Sequence, residues 1–549
     1  MEEFNAVLGS LAGYVWGLPL IVLLVGTGVV LSFLLKFVQV SRFGHAIKAI
    51  AGKFDNPADK GEVSHFRALT SALSGTIGLG NIAGVAVAIS LGGPGALFWM
   101  WLSALFGMAT KFATCTLSTK YRSIDENGVV AGGPMFTIEN GLGKKWRPLG
   151  MTFALFTMGA SFGMANLFQA NQVASSLYSQ LSVPTWISGI LMVVFVSLVI
   201  IGGIKRIGSV TGKLVPFMCG IYLLMAVIVL ALAGWSNIVQ GLSLIVSSAF
   251  NGIEPAAGGF AGIAVWTVIQ QGVRRGTFSH EAGLGSAPIA HAAVKTGEPV
   301  REGLVAMLGP FLDTIIVCTM TALVIITTGA WKVGAAPAII VDRIEKTDAG
   351  SRGVVMGPDV REGYEHPART RGRKVTWRGK IFSIQQQAFQ ERFGVHVGHG
   401  IRQSCFALVD ESISKGLALH QGDMVQIDGI LDGTVGGAVL TTYAFTSVFG
   451  KYGSYVILLA VVLFALSTMI TWSYYGDRAA LYLFGQKGVL PYRILFIVIV
   501  FIGAVYSLDP VVNISDILNG LMAVPNLIAT IMLLPVVLKL TKKYFAKYG

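Results

Sequence analysis

Apolar runs about as long as a lipid bilayer is thick recur along the whole of this 549-residue chain, and nothing else restricts its fold so severely. A helix needs about 20 residues to cross the hydrocarbon core. Runs near that length fall at 14–36, 66–90, 95–118, 149–177, 184–202, 213–234, 259–272, 303–330, 453–476, 492–508 and 517–538. About eleven such runs cannot all be interior helices of a globular protein. With 53% hydrophobic residues, 13% charged and a mean hydropathy of +0.68, the chain reads as an all-α integral membrane protein. Its start, MEEFNAVLGS, is acidic, and the first run is long enough to span, so this segment is expected to stay attached rather than be removed as a leader.

A net charge of +13 raises the question of nucleic acid, which the placement of the 41 Lys and Arg answers. With the N-terminus external, the loops that fall inside carry Lys36 to Arg67, Lys120 to Arg147, Lys205 to Lys213, Arg274 to Arg301, Arg478 to Arg493 and a basic C-terminal tail. Short external loops carry almost none, as the positive-inside rule requires. The basic balance is therefore a topology signal, with the C-terminus cytoplasmic and no nucleic-acid partner expected. Four cysteines, at 115, 219, 318 and 405, have neither metal-ligand nor disulfide-framework spacing, and no transition metal is expected.

Two of the spans are interrupted. The second reads SGTIGLGNIAGVAVAI, with glycines at 75, 78, 80 and 84, and the seventh runs out into GVRRGTFSHEAGLGSAP. They stand five spans apart, so they cross in opposite directions, and spans two to six and seven to eleven read as inverted repeats that each begin with a broken helix. The resulting organisation is an extra N-terminal helix and loop (1–65), a first repeat (66–234), the start of a second (235–330), an external insertion (331–437), and the rest of the second repeat with a cytoplasmic tail (438–549). The insertion is polar. Its stretches KVTWRGKIFSIQQQAF and CFALVDESISKGLALHQGDMVQIDG alternate in the manner of strands, so some β content is expected there.

Unwound backbone inside a bilayer is tolerated only where protein or a water-lined cavity satisfies it, so matched breaks point to a binding site. GLGNIAG at 78–84 has GxGxxxG spacing within a span, which sets aside a dinucleotide loop. A break across Thr76, Ile77, Gly78, Gly80 and Asn81 turns carbonyls of one half-helix and amides of the next toward a common cavity. Carbonyls suit a small cation and amides a carboxylate, so a zwitterion fits. In the ninth span Ser467 and Thr471, and Thr468 and Trp472, lie four apart, which either places hydroxyls for a hard cation and an indole for an apolar wall or lets the hydroxyls bond their own backbone. The fourth span sets Asn166, Gln169, Asn171 and Gln172 at membrane depth, and at least one of the two glutamines is expected to face the cavity. Phe278 either walls the cavity or packs. Arg274 and Arg275 read as positive-inside anchors. Asp313 and Glu281, with His280 beside it, are ionisable groups at membrane depth, for which proton coupling and structural pairing or capping both stand.

These residues carry a resemblance. SGTIGLGNIAGVAVAISLGGPGALFWMW, AGGPMFTIENGLG, RRGTFSHEAGLGSAPIAHAAVKTGEPVREGLVAMLGPFLDTIIVCTMTAL and STMITWSYYGDRAALYLFG resemble, in this order, the bacterial alanine or glycine:cation symporters, over roughly 1–330 and 436–540. The resemblance implies a LeuT-like 5+5 inverted repeat in a bacterial inner membrane, importing alanine or glycine with Na+, or with H+ in some members. It implies a substrate site at Thr76, Ile77, Gly78, Gly80, Asn81, Gln169 or Gln172, Phe278, Thr468 and Trp472, and a Na+ between Gly75, Gly78, Ser467 and Thr471. No further cofactor is implied. Members of that family join spans eight and nine by a much shorter loop, so the insertion is a departure, and its partner is not identified. A transporter-like sensor signalling through it is the alternative function. A passive channel fits poorly with two occluding broken helices, and no nucleophile and base pair suggests an enzyme.

Overall fold

A computed structural model describes residues 2–56, 58–124, 129–251, 265–331, 438–506 and 509–548, with short strands at 345–347, 350–352, 402–408 and 424–430. Among these residues eight helices are long and apolar enough to cross a membrane, or nine when a pair bent by 55° counts as one span. In chain order the spans are α1 (Val7–Leu34), the bent pair α2 (His65–Thr76) and α3 (Gly80–Gly92), α4 (Ala96–Tyr121), α5 (Lys144–Leu181), α6 (Thr185–Ile200) and α7 (Gly203–Ala233). Then come α8 (Val265–His280), the short α9 (Ala287–His291), α10 (Pro299–Thr327), α11 (Lys451–Phe484), α12 (Gln486–Val505) and α13 (Pro510–Met532). All eleven expected spans have a helix, but α6 and α8, at 16 residues each, are the short ones.

The chain itself explains the first break. Ser64 caps α2 by accepting the Arg67 N–H at 3.3 Å, and the helix runs until Ile77, whose ψ of 88° leaves the helical region. Helix resumes through a π-helical turn at Gly80–Gly84 and stops at Gly93, which has a φ of 69°. The second break starts later than the apolar pattern suggested. The run at 259–272 maps onto a helix that continues to His280, with 252–264 outside the described residues. Only then do Glu281 (φ 53°), Gly283 (φ 91°) and Gly285 (φ 96°) unwind the chain before α9. A polar helix end is stable here because Thr277, Ser279 and His280 are buried in protein rather than facing lipid. Arg274 and Arg275 are correspondingly not loop anchors. They lie within α8, where Arg274 meets Asp516 of α13 at 3.5 Å.

The directions follow from the contacts. Gly272 of α8 sits on Ala96, Gly276 on Met100, and His280 by Gly107, so α8 and α4 run parallel. Since α4 returns from α3 through the turn at Gly93, α8 is antiparallel to α2 and α3, as two inverted repeats require. Burial separates centre from rim: the apolar window of α11 is 72% buried, that of α7 only 33%. Leu224, Phe217 and Leu232 on the rim are exposed, which suits a lipid-facing surface.

Beyond the two breaks, the ends of α2 and α9 are strapped together. Val63 and Val294 form a parallel bridge in which Lys295 N–H donates to Val63 O at 2.7 Å and Glu62 N–H to Ala293 O at 2.8 Å. The Arg122 guanidinium donates to the carbonyls of Lys60, Ala292, Val294 and Thr296. Beside this strap, His65 and His291 both bond the buried carboxylate of Glu302 through Nδ1. In the insertion, 402–408 pairs antiparallel with 424–430, Arg402 opposite Ile430 and Leu408 opposite Met424. The other stretch expected to form strands, 374–389, lies outside the described residues.

Candidate functional site

The break between α2 and α3 opens onto a cavity of about 30 Å³, room for about two waters at ~10–15 Å³ each. The break contributes Gly75, Thr76, Gly78, Leu79 and Gly80. Facing it are Phe278 and Glu281 at the second break, Thr468 and Trp472 of α11, Met164, Ala165 and Gln169 of α5, and Asn519 of α13. Five elements thus meet at one small chamber. The glycines are what lets them meet: a Cβ on Gly78 would lie 2.5 Å from Thr468 Oγ1, and one on Gly75 would lie 3.0 Å from Thr471 Cγ2.

Along one side, α2 and α11 are zipped by hydroxyl groups. Ser74 Oγ donates to Ser467 O at 2.8 Å, Ser467 Oγ donates back to Ser74 O at 3.2 Å, and Thr471 Oγ1 donates to Ser71 O at 3.0 Å. Thr468 Oγ1 donates to Phe464 O of its own helix at 3.0 Å. A hydroxyl that donates its proton keeps its oxygen lone pairs, so this seam offers hard oxygen donors without any charge.

Behind the break lies a buried hub. Asn81 Oδ1 accepts the Gly78 N–H at 3.0 Å, capping the free amide at the break, while its Nδ2 donates to Asp313 Oδ1 at 2.6 Å. Ser279 of α8 and Thr314 both donate to Asp313 Oδ2, at 2.7 and 2.8 Å. One carboxylate therefore ties the first break, the end of the second broken helix and α10, with three hydrogen bonds from neutral groups. Asp313 sits in a π-helical stretch, Phe311–Cys318, and Met164 and Ala165 in another, Gly163–Leu167. With Gly80–Gly84, three such turns flank the site, a placement typical of functional helices.

Glu281 is the one charged side chain among the described residues lining the cavity. Its carboxylate accepts from Ser286 Oγ and from Trp472 Nε1, the latter at 3.3 Å. His280 turns away: Nδ1 accepts the Ala282 N–H at 3.0 Å and Nε2 meets Ser103 Oγ at 2.8 Å, which ties the end of α8 to α4. Lys111 of α4 is also buried, within electrostatic reach of Glu281 and Asp313.

Of the residues singled out by sequence, Gly75, Thr76, Gly78, Gly80, Gln169, Phe278, Glu281, Thr468 and Trp472 line the cavity. Ile77 is buried beside it, Asn81 and Asp313 stand behind the break, and Ser467 and Thr471 lie in the α2–α11 seam. Gln172 is half-buried and is not among the lining residues. Asn519 and Lys111 were not singled out. Asn519 is the one polar residue of ILNGL and Lys111 the one charged residue of MATKFAT, and that interruption was the available signal. Among the described residues no group of three or more His, Cys, Asp or Glu is placed to hold a metal ion.

The sodium:alanine symporter family matches residues 1–347 and 408–548, on either side of the middle of the insertion. The sodium/alanine symporter AgcS of Methanococcus maripaludis is 38% identical over 544 residues, covering 99% of this chain and 97% of that protein. A probable sodium/glutamine symporter, GlnT of Bacillus subtilis, is 37% identical over 329 residues, 59% of this chain and 66% of that protein. The solved structure of MhsT in complex with L-phenylalanine aligns over 88% of this chain and 98% of its own, at 10% identity and a TM-score of 0.48.

Proposed function

The chain belongs to the sodium:alanine symporter family, and from that premise we propose that it imports a small neutral amino acid, alanine or glycine, by symport with Na+. It is a multi-pass membrane transporter that couples amino-acid movement to a cation, not an enzyme. The observation that carries the finer reading is the small chamber between two interrupted helices, with glycine-lined backbone on one wall and a hydroxyl seam beside it.

In this reading Na+ takes oxygens from the Gly75–Gly78 backbone and the hydroxyls of Ser467 and Thr471. The amino acid lies against Thr76, Ile77, Gly78 and Gly80, with Phe278, Thr468 and Trp472 enclosing its side chain and Gln169 above. Its carboxylate turns to the amides that begin α3 and its ammonium to Glu281 and the carbonyls that end α2. Asn81 and Asp313 hold the break in shape. The downhill ion supplies about 2.3 kcal/mol per charge for each 100 mV of membrane potential. We place the protein in a bacterial inner membrane with the N-terminus external and the C-terminus cytoplasmic.

Glu281 in the cavity wall favours a second reading, in which a proton on that carboxylate replaces Na+ or joins it. A sensor acting through the insertion finds no support, since the relatives above are named as symporters. The test is uptake of labelled alanine, glycine and serine into proteoliposomes under an inward Na+ gradient, an inward H+ gradient, or neither. Accumulation driven by Na+ alone supports the first reading, and accumulation driven by H+ alone supports the second. Absence of gradient-driven accumulation of all three substrates overturns both.

A further inference from the structure

We propose that Gln169 and Asn519 form a side-chain subsite that favours amino acids bearing a hydroxyl donor, serine above its hydrocarbon isostere 2-aminobutyrate. This rests on the amino-acid reading above and sharpens its substrate class. Both amides line the cavity, and both are almost fully buried, 6% and 3% exposed. The carbonyl oxygen of each, Gln169 Oε1 and Asn519 Oδ1, has no hydrogen-bond partner among the described residues. Gln169 Nε2 is turned back to Met164 O at 3.4 Å, a carbonyl of the π-helical turn, which leaves the oxygen end of that amide as the unmet group.

Buried polar groups in folded proteins are almost always satisfied, so two orphan acceptors in one chamber mark where a donor belongs. They come from α5 and α13, which contribute neither break, and so are spare once the breaks and Glu281 have taken the zwitterion. A methyl or ethyl side chain leaves both oxygens facing hydrocarbon, whereas a hydroxymethyl group gives one of them its proton. Sites that hydrogen-bond a substrate hydroxyl discriminate strongly against analogues lacking it.

The experiment uses the full chain, purified in detergent with Na+, and reads the dissociation constants of alanine, serine and 2-aminobutyrate from ligand-dependent melting. Serine is expected to bind at least about ten-fold more tightly than 2-aminobutyrate. In Asn519→Leu and Gln169→Leu that ratio should fall toward one. Equal affinities in the unmodified protein, with alanine bound, overturn the proposal, as does an unchanged ratio in both variants when they elute as folded monodisperse protein. If neither variant folds, the ratio in the unmodified protein decides. Failure of all three amino acids to bind removes the underlying transport reading instead.

Discussion

Asn81, which its place in the sequence marks as a candidate ligand, lies behind the break and binds two protein groups there. Its amide joins two groups that would otherwise be buried alone, the Gly78 N–H and one oxygen of Asp313. Replacing it with Ala orphans both, at about 1–3 kcal/mol for each buried polar group. Asn81→Ala should therefore melt at a lower temperature and lose at least ten-fold in uptake, because the break it caps goes slack. Unchanged melting with lost transport would instead make Asn81 a direct ligand. Glu281 lends itself to a conservative change, since Gln keeps an oxygen to accept from Trp472 and offers an amide N–H to Ser286 Oγ, which can accept, but loses the charge. Glu281→Gln should raise the KM for the amino acid at least ten-fold while leaving melting within a few degrees, and an unaltered KM would remove its carboxylate from substrate binding. The sequence showed that Asn81 mattered but not how, because its partner Asp313 lies 232 residues away and no local pattern links them.

Among elements, the broken helices were legible because glycine clusters inside an apolar run leave few alternatives, and the odd spacing of the two runs fixed their opposed directions. The boundary of α8 was not legible. Its last turns carry Thr277, Ser279 and His280, which mimic a loop in composition and are helical only because α4 and α10 cover them. The choice between Gln169 and Gln172 was open for a related reason: the π-helical turn at Gly163–Leu167 rotates everything after it relative to a regular helix. The packing of α8 on α4 yields an expectation of its own. A Cβ on Gly272 would come within 2.4 Å of Ala96 O, and one on Gly276 within 2.7 Å of Ser103 Oγ, whereas Gly220 on α7 has nothing within 4 Å. Gly272→Ala should cost about 1–3 kcal/mol by forcing the two helices apart. Gly220→Ala should be nearly neutral, and equal melting of the two variants would contradict this packing.

For the whole molecule, the proposed ion and substrate sites share the Gly75–Gly80 backbone, so their binding is expected to be coupled, and coupling of binding free energies is reciprocal. Raising Na+ should tighten alanine binding by the same factor by which alanine tightens Na+ binding, as equilibrium titrations of each at fixed levels of the other would show. No tightening of either by the other would mean that the two do not share that backbone. Every described residue lining the chamber lies outside 332–437, so removal of 353–401 is expected to leave the KM for uptake within about two-fold. A larger change would give the insertion a part in transport. The strap that ties α2 to α9 has a further consequence. Transporters waste their gradient when one gate swings without the other and lets an ion slip through unaccompanied. Here the start of α2 and the segment after α9 share a backbone bridge and the carbonyl ties of Arg122, so neither can swing out without carrying the other. Leakiness is then governed by a loop and one arginine that touch neither cargo, and Arg122→Ala should slip Na+ in vesicles that contain no amino acid at all.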